Sequence, residues 1–515
     1  MWKYAVFLFL LLNVDMQVSG AVDKTVPENS IPEKLKTEEA AATSNIPARD
    51  NASSGYLGNL LVVPMDGSHW VGIKAIAQEM GRRGHRVTVV IPEVSIRMGP
   101  GKHYDTLTYP VPYDRAHIDY VIREPTVQCK CHLTSGTAEL RCRPNRPMVP
   151  TGSLIARKLG LPTINLLRGI PCSMDMKSAG CPSPPSYVPR FFTKNTDKMN
   201  FKERTINTLV AFLEPLLCRL MYWHFDSLAY QFLGEEVGVA EILSESAIWL
   251  LRLDFTLEFP RPLMPNMVLV GGINCHVRNP LPEVRPVYGE HGFVVFTLGT
   301  MVSDLPEERT SVFLEAFRQI PQKVVWRYTG PVPDNVPENV KFMKWAPQND
   351  LLAHPGVRAF ITHAGSHGLF EGLCHAVPMV MVPLGGDQPD NAQRLASRGA
   401  GLVLDIFDIT TEILLQGLNE VINDTRYKEN VQKLSDLHKD RLVDPLDLSV
   451  YWTEYVMRNK GAKHLKAAVH GLNWIQYYCL DVIALLATVV LVFVILTVKC
   501  FKLIFWKLSR KRKQD

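Results

Sequence analysis

The sequence predicts an α/β protein with two Rossmann-like, doubly wound domains and one transmembrane helix near the C-terminus. Two segments, residues 56–91 and 357–391, alternate short apolar runs with helical stretches, which is typical of a parallel α/β sheet. A third segment, residues 482–498, is an uninterrupted run of apolar residues and threonine, and its length is at the lower limit for crossing a bilayer.

Length and composition fit a globular protein of two domains with appendages. The chain has 515 residues, of which 46% are hydrophobic and 21% charged. The net charge of +5 is small and concentrated in the C-terminal tail, so it does not indicate a nucleic-acid-binding protein. Ten cysteines do not indicate a disulfide framework, although the sequence leaves a bridge between Cys172 and Cys181 open. We expect no metal. One group of residues loosely resembles a set of metal ligands, and we discount it: Cys129, Cys131, His132 and Cys142.

Residues 1–20 predict a secretory signal peptide. Lys3 precedes the apolar run 5–12, and the small residues at 18–20 suit cleavage. Residues 21–54 contain no aromatic residue and predict a flexible leader. Glycosylation sequons begin at Asn51, inside this leader, and at Asn423.

Residues 55–285 predict the first doubly wound domain. A strand over residues 57–64, a helix over 71–83 and a strand over 87–91 form its opening β-α-β unit. This arrangement places His69 on a loop at the carboxyl end of a strand, where parallel α/β sheets bind their ligands.

A proline-containing linker over residues 279–290 separates this domain from the second one, which covers residues 286–470. The strongly apolar residues 208–225 have two interpretations. They form either buried core or a surface patch that touches the membrane.

The second domain opens with a strand over residues 293–298. A further apolar run over 357–361 ends in Thr-His-Ala-Gly and leads directly into a helix over 366–375. Another apolar run over 379–384, a polar loop and a helix that begins at Asn391 follow. This order of elements is the repeating unit of a parallel α/β sheet.

The turn before the helix at 366–375 suits a phosphate ligand. Gly365 and Gly368 stand where a ligand must approach the backbone closely, and the first free N–H groups of the helix would point at it. Thr300 ends the strand over 293–298 at a similar approach to a helix.

The C-terminus predicts a type I membrane anchor. The transmembrane helix covers residues 478–498, and the basic tail 499–515 belongs in the cytosol by the positive-inside rule. Lys511 and Lys513 resemble a dilysine-type signal that returns proteins to the endoplasmic reticulum. The aromatic residues at the interface position before the span are Trp474, Tyr477 and Tyr478.

One block of the second domain resembles the signature of the UDP-glycosyltransferases and, within them, the animal UDP-glucuronosyltransferases. The resemblance runs from about residue 55 to the last basic residues. It implies the GT-B architecture, in which two Rossmann-like domains face each other across a cleft. Its specificity comes from the combined spacing, over 44 residues, of Trp345, Gln348, His363, Glu371, Asp387 and Gln388.

The resemblance assigns His69, in the sequence Asp-Gly-Ser-His-Trp, as the general base that removes the proton of the acceptor. Histidine suits this task because its pKa lies near neutral pH. In the family a carboxylate in an Asp-Pro pair orients this histidine. Arg146 stands at that position here, and its charge would oppose the imidazolium formed in the reaction.

The stretch around Arg146 also departs from the family in length. Residues 112–147 are shorter than the family pattern by several tens of residues, so elements of the acceptor site are missing from the chain as written. A one-base shift of the reading frame over residues 139–147 is permitted by codon degeneracy and gives a segment that ends in Asp-Pro. We therefore keep two hypotheses, a true departure and a sequence error that hides the aspartate.

For the nucleotide, the resemblance implies that uracil stacks on Trp345 with Gln348 nearby. The carboxylate of Glu371 would accept hydrogen bonds from the ribose hydroxyls. The pyrophosphate would lie against His363, Thr300 and the backbone of residues 365–368.

For the sugar, the resemblance implies that Asp387 and Gln388 bind hydroxyl groups and enforce the orientation for attack. Arg252 is the candidate partner of a glucuronate carboxylate, because arginine matches the geometry of a carboxylate. A structural surface arginine is the alternative interpretation of Arg252.

The resemblance implies an enzyme that transfers glucuronic acid from UDP-glucuronate to hydroxyl groups of small lipophilic acceptors, with inversion and without a metal or other cofactor. It is expected in the membrane of the endoplasmic reticulum, and both homo-oligomers and hetero-oligomers with related transferases stay open. Three alternatives stay open: an impaired homologue that binds UDP-sugar, favoured by Arg146; a UDP-glucose-dependent transferase; and a membrane-tethered carbohydrate-binding module that does not depend on His69.

Overall fold

The computed structural model describes residues 57–67, 69–116, 118, 133–134, 137–138, 151–275, 289–299, 302 and 304–511. Several predicted features lie outside these residues. They are the signal peptide, the leader with Asn51, the discounted cysteine and histidine set, Arg146, most of the linker, and Thr300.

The first domain opens with a three-stranded parallel sheet. Strand β1 (Asn59–Val62) pairs with β2 (Arg86–Pro92), and β2 pairs with β3 (Asp105–Tyr109). A short antiparallel pair, β4 (Leu133–Thr134) and β5 (Thr137–Ala138), follows in the chain. The predicted β-α-β unit is therefore present, with a first strand shorter at both ends than predicted.

A second three-stranded parallel sheet completes the first domain. Strand β6 (Ile164–Leu167) pairs with β7 (Ile248–Leu251), which pairs with β8 (Met267–Leu269). Both β1 and β6 are edge strands, and within the described part of the chain no strand joins them.

Helix α1 (His69–Arg82) connects β1 to β2 and starts earlier than predicted. The prediction that His69 lies on a loop is wrong, because Gly67 adopts a left-handed φ of 80° and turns the chain directly into the helix. His69 is consequently the first helical residue. The buried face of α1 includes Trp70 and Met80, which pack with the core of β2 and β7.

The other helices of the first domain lie between β5 and β8. In the longest of them, buried Tyr222 and Phe225 contrast with exposed Leu209, Phe212 and Trp223. Within residues 208–225 one face is therefore core and the other is an exposed apolar surface, whose contact with the membrane stays a prediction. These helices are α2 (Thr151–Leu159), α3 (Met174–Ser178), α4 (Phe201–Leu233) and α5 (Val239–Ser244).

The second domain is built on one six-stranded parallel sheet. Its strands are β9 (Phe293–Thr297), β10 (Lys323–Arg327), β11 (Val340–Met343), β12 (Val357–Thr362), β13 (Met379–Met381) and β14 (Gly401–Val403). Their order in the sheet is β11-β10-β9-β12-β13-β14. This is the doubly wound order of a Rossmann domain, which confirms the predicted fold class.

The helices of the second domain cover both faces of this sheet. They are α6 (Glu307–Arg318), α7 (Gln348–Leu352), α8 (Ser366–Cys374), α9 (Gln388–Ala396), α10 (Thr411–Asn423) and α11 (Thr425–Lys439). The predicted helix at 366–375 is confirmed. The helix predicted from Asn391 begins three residues earlier, because Pro389 is compatible with the first turn of a helix.

The end of the chain returns to the first domain. Helix α12 (Pro445–Asn459) buries Val450 and Val456 in the same core as α1. Arg83 on the α1 side pairs with Asp447 at 3.0 Å. The two domains are therefore also tied together through the C-terminal segment.

After the short helix α13 (Trp474–Tyr477), helix α14 (Leu480–Lys511) leaves the globular part. It is the one helix among the described residues that is long and apolar enough to cross a membrane, and none of its apolar part is buried. The helix extends past the predicted end of the span at residue 498, because lysine and arginine are good helix formers.

A disulfide joins Cys275, at the end of the first domain, to Cys374, at the end of α8. The bridge left open between Cys172 and Cys181 is not formed, since both thiols are free. The nitrogen of His438 lies within 4.8 Å of both bridged sulfur atoms. The bridge therefore fixes the start of the interdomain connection against the helix that carries Glu371.

A buried ionic cluster also crosses between the domains. The carboxylate of Glu258 lies 2.5 Å from Arg168 in the first domain and 2.9 Å from Arg394 on α9. Its backbone oxygen accepts a hydrogen bond of 2.8 Å from Arg398. Burial raises the pKa of Glu258, but Arg168 and Arg394 outweigh burial and hold the pKa below its usual value.

Candidate functional site

The site lies where the carboxyl ends of the strands of both domains meet. Asn274 follows β8 of the first domain, and its side-chain amide lies 3.0 Å from Nδ1 of His367 in the first turn of α8. Arg97 follows β2, and its guanidinium lies 4.4 Å above the ring of Trp345 in the second domain. Ligands of parallel α/β sheets bind at such carboxyl ends.

His69 stands at the mouth of this cleft, partly buried at the start of α1. The pKa of His69 is lowered to about 4, mainly by burial and also by the charge of Arg252. Asp387 and a hydrogen bond to the backbone of Asp66 act in the opposite direction. The imidazole is therefore neutral at pH 7 and able to accept a proton.

Arg252 directly follows β7 and is 4% exposed, so the interpretation as a surface arginine is wrong. One guanidinium nitrogen contacts Nε2 of His367. The Nε atom is buried and makes no hydrogen bond within the described residues. Burial lowers the pKa of Arg252 to about 10, so the side chain remains charged at neutral pH.

His367 bridges Arg252 and Asn274 as a neutral imidazole. Burial and the charge of Arg252 hold the pKa of His367 well below its usual value. Because an arginine only donates, Nε2 of His367 accepts and Nδ1 carries the hydrogen. The amide of Asn274 must then offer its oxygen to Nδ1, which also gives that buried oxygen a partner. This relay fixes the direction of Arg252.

Arg252, His367 and Asn274 line a small, partly open cavity between the two domains. Glu371 and Cys275 lie on its wall as well. A cationic group that is buried, oriented by a relay and open to a cavity is suited to an anionic ligand.

Glu371, one turn into α8, is held by Gln348 at the start of α7. The amide nitrogen of Gln348 donates to Glu371 at 2.5 Å, and the amide oxygen accepts from the hydroxyl of Thr297. Burial raises the pKa of Glu371 to about 7, against the opposing effects of Gln348 and Arg97. Glu371 therefore changes its charge near neutral pH.

His363 directly follows β12, in the turn that leads into α8. A Cβ atom on Gly365 would lie 2.4 Å from Nε2 of His363, and one on Gly299 would lie 2.6 Å from the same ring. Ala364 between them adopts a left-handed φ of 63°. The glycines thus make room for the imidazole itself, and Nδ1 of His363 is buried without a hydrogen bond to the described chain.

Gly368 and the pair Asp387-Gln388 surround the remaining sides. A Cβ atom on Gly368 would lie 3.1 Å from Thr362 and 3.5 Å from Gln348. Asp387 accepts a hydrogen bond of 2.7 Å from Asn391. The side-chain oxygen of Gln388 accepts from the backbone nitrogen atoms of residues 384 and 385, which leaves its amide nitrogen to face a ligand.

The structure brings most of the predicted site residues together. Burial lowers the pKa values of both His69 and His363, and the charge of Asp387 opposes this effect at both rings, so the predicted base and the predicted phosphate and sugar ligands share one electrostatic environment. Trp345 is 54% exposed at the rim. Thr300 lies outside the described residues. The exposed Asn423 ends α10, away from the cleft, and its glycosylation stays a prediction.

Sequence reasoning missed four residues that the structure adds to the cleft. Asn274, Arg97 and Arg327 stand outside every motif, so no local pattern marks them. His367 stands inside the motif block, directly after Ser366. Nothing in its spacing distinguishes it from an ordinary helical residue.

Comparisons with known proteins match both domains of the chain. The family model described as "UDP-glucoronosyl and UDP-glucosyl transferase" matches residues 58–141 and 136–515. UDP-glucuronosyltransferase 1A1 of Mus musculus is 44% identical over 487 positions, which cover 87% of this chain and 91% of that protein. UDP-glucuronosyltransferase 1A6 of Homo sapiens is 44% identical, with coverage of 86% and 90%.

The alignment with the mouse protein spans 487 positions. This is more than 87% of the 515 residues of this chain, so some of the aligned positions are gaps in this chain. The chain therefore lacks residues that this relative has. The two pieces of the family match meet at residues 136–141, inside the stretch that is predicted to be shortened.

Solved structures show the same fold at low sequence identity. Spinosyn Forosaminyltransferase SpnP is 18% identical, with a TM-score of 0.52 and coverage of 77% of this chain and 98% of that one. CalG4, the Calicheamicin Glycosyltransferase, is 20% identical, with a TM-score of 0.50 and coverage of 78% and 98%. The fold is the GT-B arrangement of two Rossmann-like domains that face a cleft.

Proposed function

The chain belongs to the UDP-glucoronosyl and UDP-glucosyl transferase family, and we propose that it transfers glucuronic acid from UDP-glucuronate to hydroxyl groups of small lipophilic acceptors with inversion. The observation that carries the choice of donor is the buried Arg252. Its charge is directed by His367 into a cavity that also holds Asn274 and Glu371. A carboxylate on the transferred sugar would give this guanidinium a bidentate partner, which a neutral glucose hydroxymethyl group does not.

His69 is the proposed general base. Its neutral imidazole would accept the proton of the acceptor hydroxyl as that oxygen attacks the anomeric carbon. Asp387 and Gln388 would hold the sugar so that the acceptor approaches from the face opposite to the leaving UDP, which inverts the configuration.

The uridine diphosphate would bind along the second domain. Trp345 at the rim offers a ring face for uracil, and Glu371, braced by Gln348, would accept from the ribose hydroxyls. The N-terminus of α8 would face the pyrophosphate and stabilise the charge of the leaving group without a metal ion. The groups assigned to the pyrophosphate are His363, Thr300 and the backbone of residues 365–368.

The exposed apolar surfaces support a membrane location. Helix α14 would anchor the protein, and the exposed face of α4 would lie near the bilayer, where lipophilic acceptors concentrate. With the predicted signal peptide and the basic tail, we place the catalytic domains in the lumen of the endoplasmic reticulum. Oligomers with related transferases belong to this proposal as well.

Arg252→Ala tests the choice of donor. The substitution disturbs His367 for every donor, so kcat/KM should fall for UDP-glucose as well as for UDP-glucuronate. The lost carboxylate pair adds a further effect of roughly 100-fold for UDP-glucuronate alone. The measurement is the ratio of the two kcat/KM values in wild type and variant, with Arg252→Lys expected to recover part of the preference. Equal losses with both donors would remove the basis for glucuronate.

The pKa of Glu371 predicts how donor affinity changes with pH. The carboxylate form accepts the ribose hydroxyls, and a pKa of about 7 means that it takes up a proton as the pH falls through neutrality. The Kd for UDP-glucuronate, whose phosphate groups stay ionised in this range, should therefore rise roughly tenfold from pH 8 to pH 5.5. In Glu371→Gln the Kd should be high at both pH values. A parallel pH dependence in both proteins would contradict this role.

A second candidate function is a UDP-sugar-binding homologue with impaired catalysis. The low pKa of His69, about 4, makes it a weak base, and within the described residues no carboxylate forms a hydrogen bond with its ring. Arg146 in place of an aspartate points in the same direction. This alternative predicts UDP binding without turnover.

A further inference from the structure

Arg97 reaches from the first domain onto the nucleotide side of the cleft. It stands five residues after the end of β2, and its guanidinium lies 4.4 Å from the ring centroid of Trp345. The family pattern assigns Trp345 to uracil, whereas no motif covers Arg97. A residue of the opposite domain that touches this ring lies close to any nucleotide bound there.

The backbone of Arg97 is fixed by the loop that carries the proposed base. The carboxylate of Asp66 accepts hydrogen bonds from the backbone nitrogen atoms of Ile96, at 2.6 Å, and Arg97, at 3.0 Å. The hydroxyl of Ser95 accepts from Arg97 at 3.2 Å and from Met98 at 2.7 Å. Since Asp66 stands three residues before His69, one carboxylate positions both Arg97 and the start of α1.

The charge of Arg97 is poorly balanced by the protein alone. Burial lowers its pKa, and Glu371 and Asp66 oppose that effect. Burial and, to a lesser extent, the charge of Arg97 lower the pKa of Arg327, which ends β10 and donates to the backbone oxygen of Gly299 in the turn after β9. The guanidinium groups of Arg97 and Arg327 repel each other beside the N-terminus of α8. A multivalent anion between them would relieve this repulsion.

Resting on the proposed function, we propose that Arg97 is a donor-binding residue, contributed by the first domain, that pairs with the diphosphate of the UDP-sugar. Stacking on Trp345 keeps the guanidinium group of Arg97 close to the bound nucleotide. Pairing with the diphosphate would draw the segment held by Asp66 towards the second domain. Binding of the donor would thereby help to position His69 for attack.

Titration calorimetry with UDP and with uridine tests this pairing in the full chain in detergent. Arg97→Met keeps the apolar stem and removes the charge, and it should weaken UDP binding about 10- to 100-fold while the affinity for uridine changes less than about twofold. Arg97→Lys should lie between Arg97→Met and wild type. The matched control is Arg86→Met, an exposed arginine at the other end of β2, which should bind UDP as the wild type does.

The outcomes separate this proposal from the function on which it rests. UDP affinity that is unchanged in Arg97→Met, or equal losses for UDP and uridine, would overturn the diphosphate pairing and leave the transferase proposal intact. Wild-type protein that binds no UDP would overturn both. A thermal midpoint for Arg97→Met within about 2 °C of wild type excludes misfolding as the cause of a loss.

Discussion

His69→Ala should lower kcat for glucuronide formation about 10²- to 10⁴-fold, the range of a lost general base. The effect is confined to proton transfer, because the nucleotide contacts proposed for the second domain remain. The Kd for UDP should therefore stay within about twofold of wild type.

The measurement for His69→Ala combines single-turnover rates at saturating UDP-glucuronate with calorimetry of UDP binding. His291→Ala is the matched control, since His291 is exposed and lies at the entry to the second domain. A variant that keeps more than about a tenth of the wild-type rate would show that another group removes the proton.

Glu258→Ala should destabilise the protein by about 3–5 kcal/mol, because it leaves the partly buried Arg168 and Arg394 without their shared counter-charge. The folded-state pKa of Glu258 lies below its unfolded value near 4.5. Its stabilising effect is therefore present above pH 4.5 and is lost as the pH falls further.

The measurement is the thermal midpoint in detergent together with limited proteolysis between the domains. Glu245→Ala is the control, because Glu245 is exposed and its pair with Arg157, at 3.0 Å, should contribute less than about 1 kcal/mol. A fall in midpoint for Glu258→Ala no larger than that of the control would mean that the cluster does not hold the domains together.

The fold was predictable because periodicity and turn chemistry agree in both domains. Strand β12 and helix α8 follow the predicted pattern closely, since the buried part of this parallel strand is mostly apolar and Ala364-Gly365 marks the turn. The start of α1 was missed, because loop residues near Gly67 and first-turn residues have the same polar composition.

The site divides in the same way into a local and a long-range part. Gln348 and Glu371 stand on adjacent elements of one domain, so their spacing in sequence determines their contact. The contact of Arg252 with His367 depends on how two domains dock, and no local spacing encodes that. The disulfide between Cys275 and Cys374 is missed for the same reason, because its partners are 99 residues apart.

The departure at Arg146 has a counterpart in the fold. Strands β1 and β6 both end their sheets with an unpaired edge in the described chain, and the segment between them contains Arg146. We expect a strand inserted there to pair with both edges and to carry the aspartate of the family pattern. The transcript sequence across the codons for residues 105–155 distinguishes a reading-frame error from a true departure.

The most direct test of the proposed activity is the product formed by the full chain in membranes from UDP-glucuronate and a small phenolic acceptor. The account predicts a glucuronide whose anomeric proton shows the coupling constant of an inverted, β-linked sugar by NMR. Bound UDP without any glucuronide, or a product with retained configuration, would contradict it.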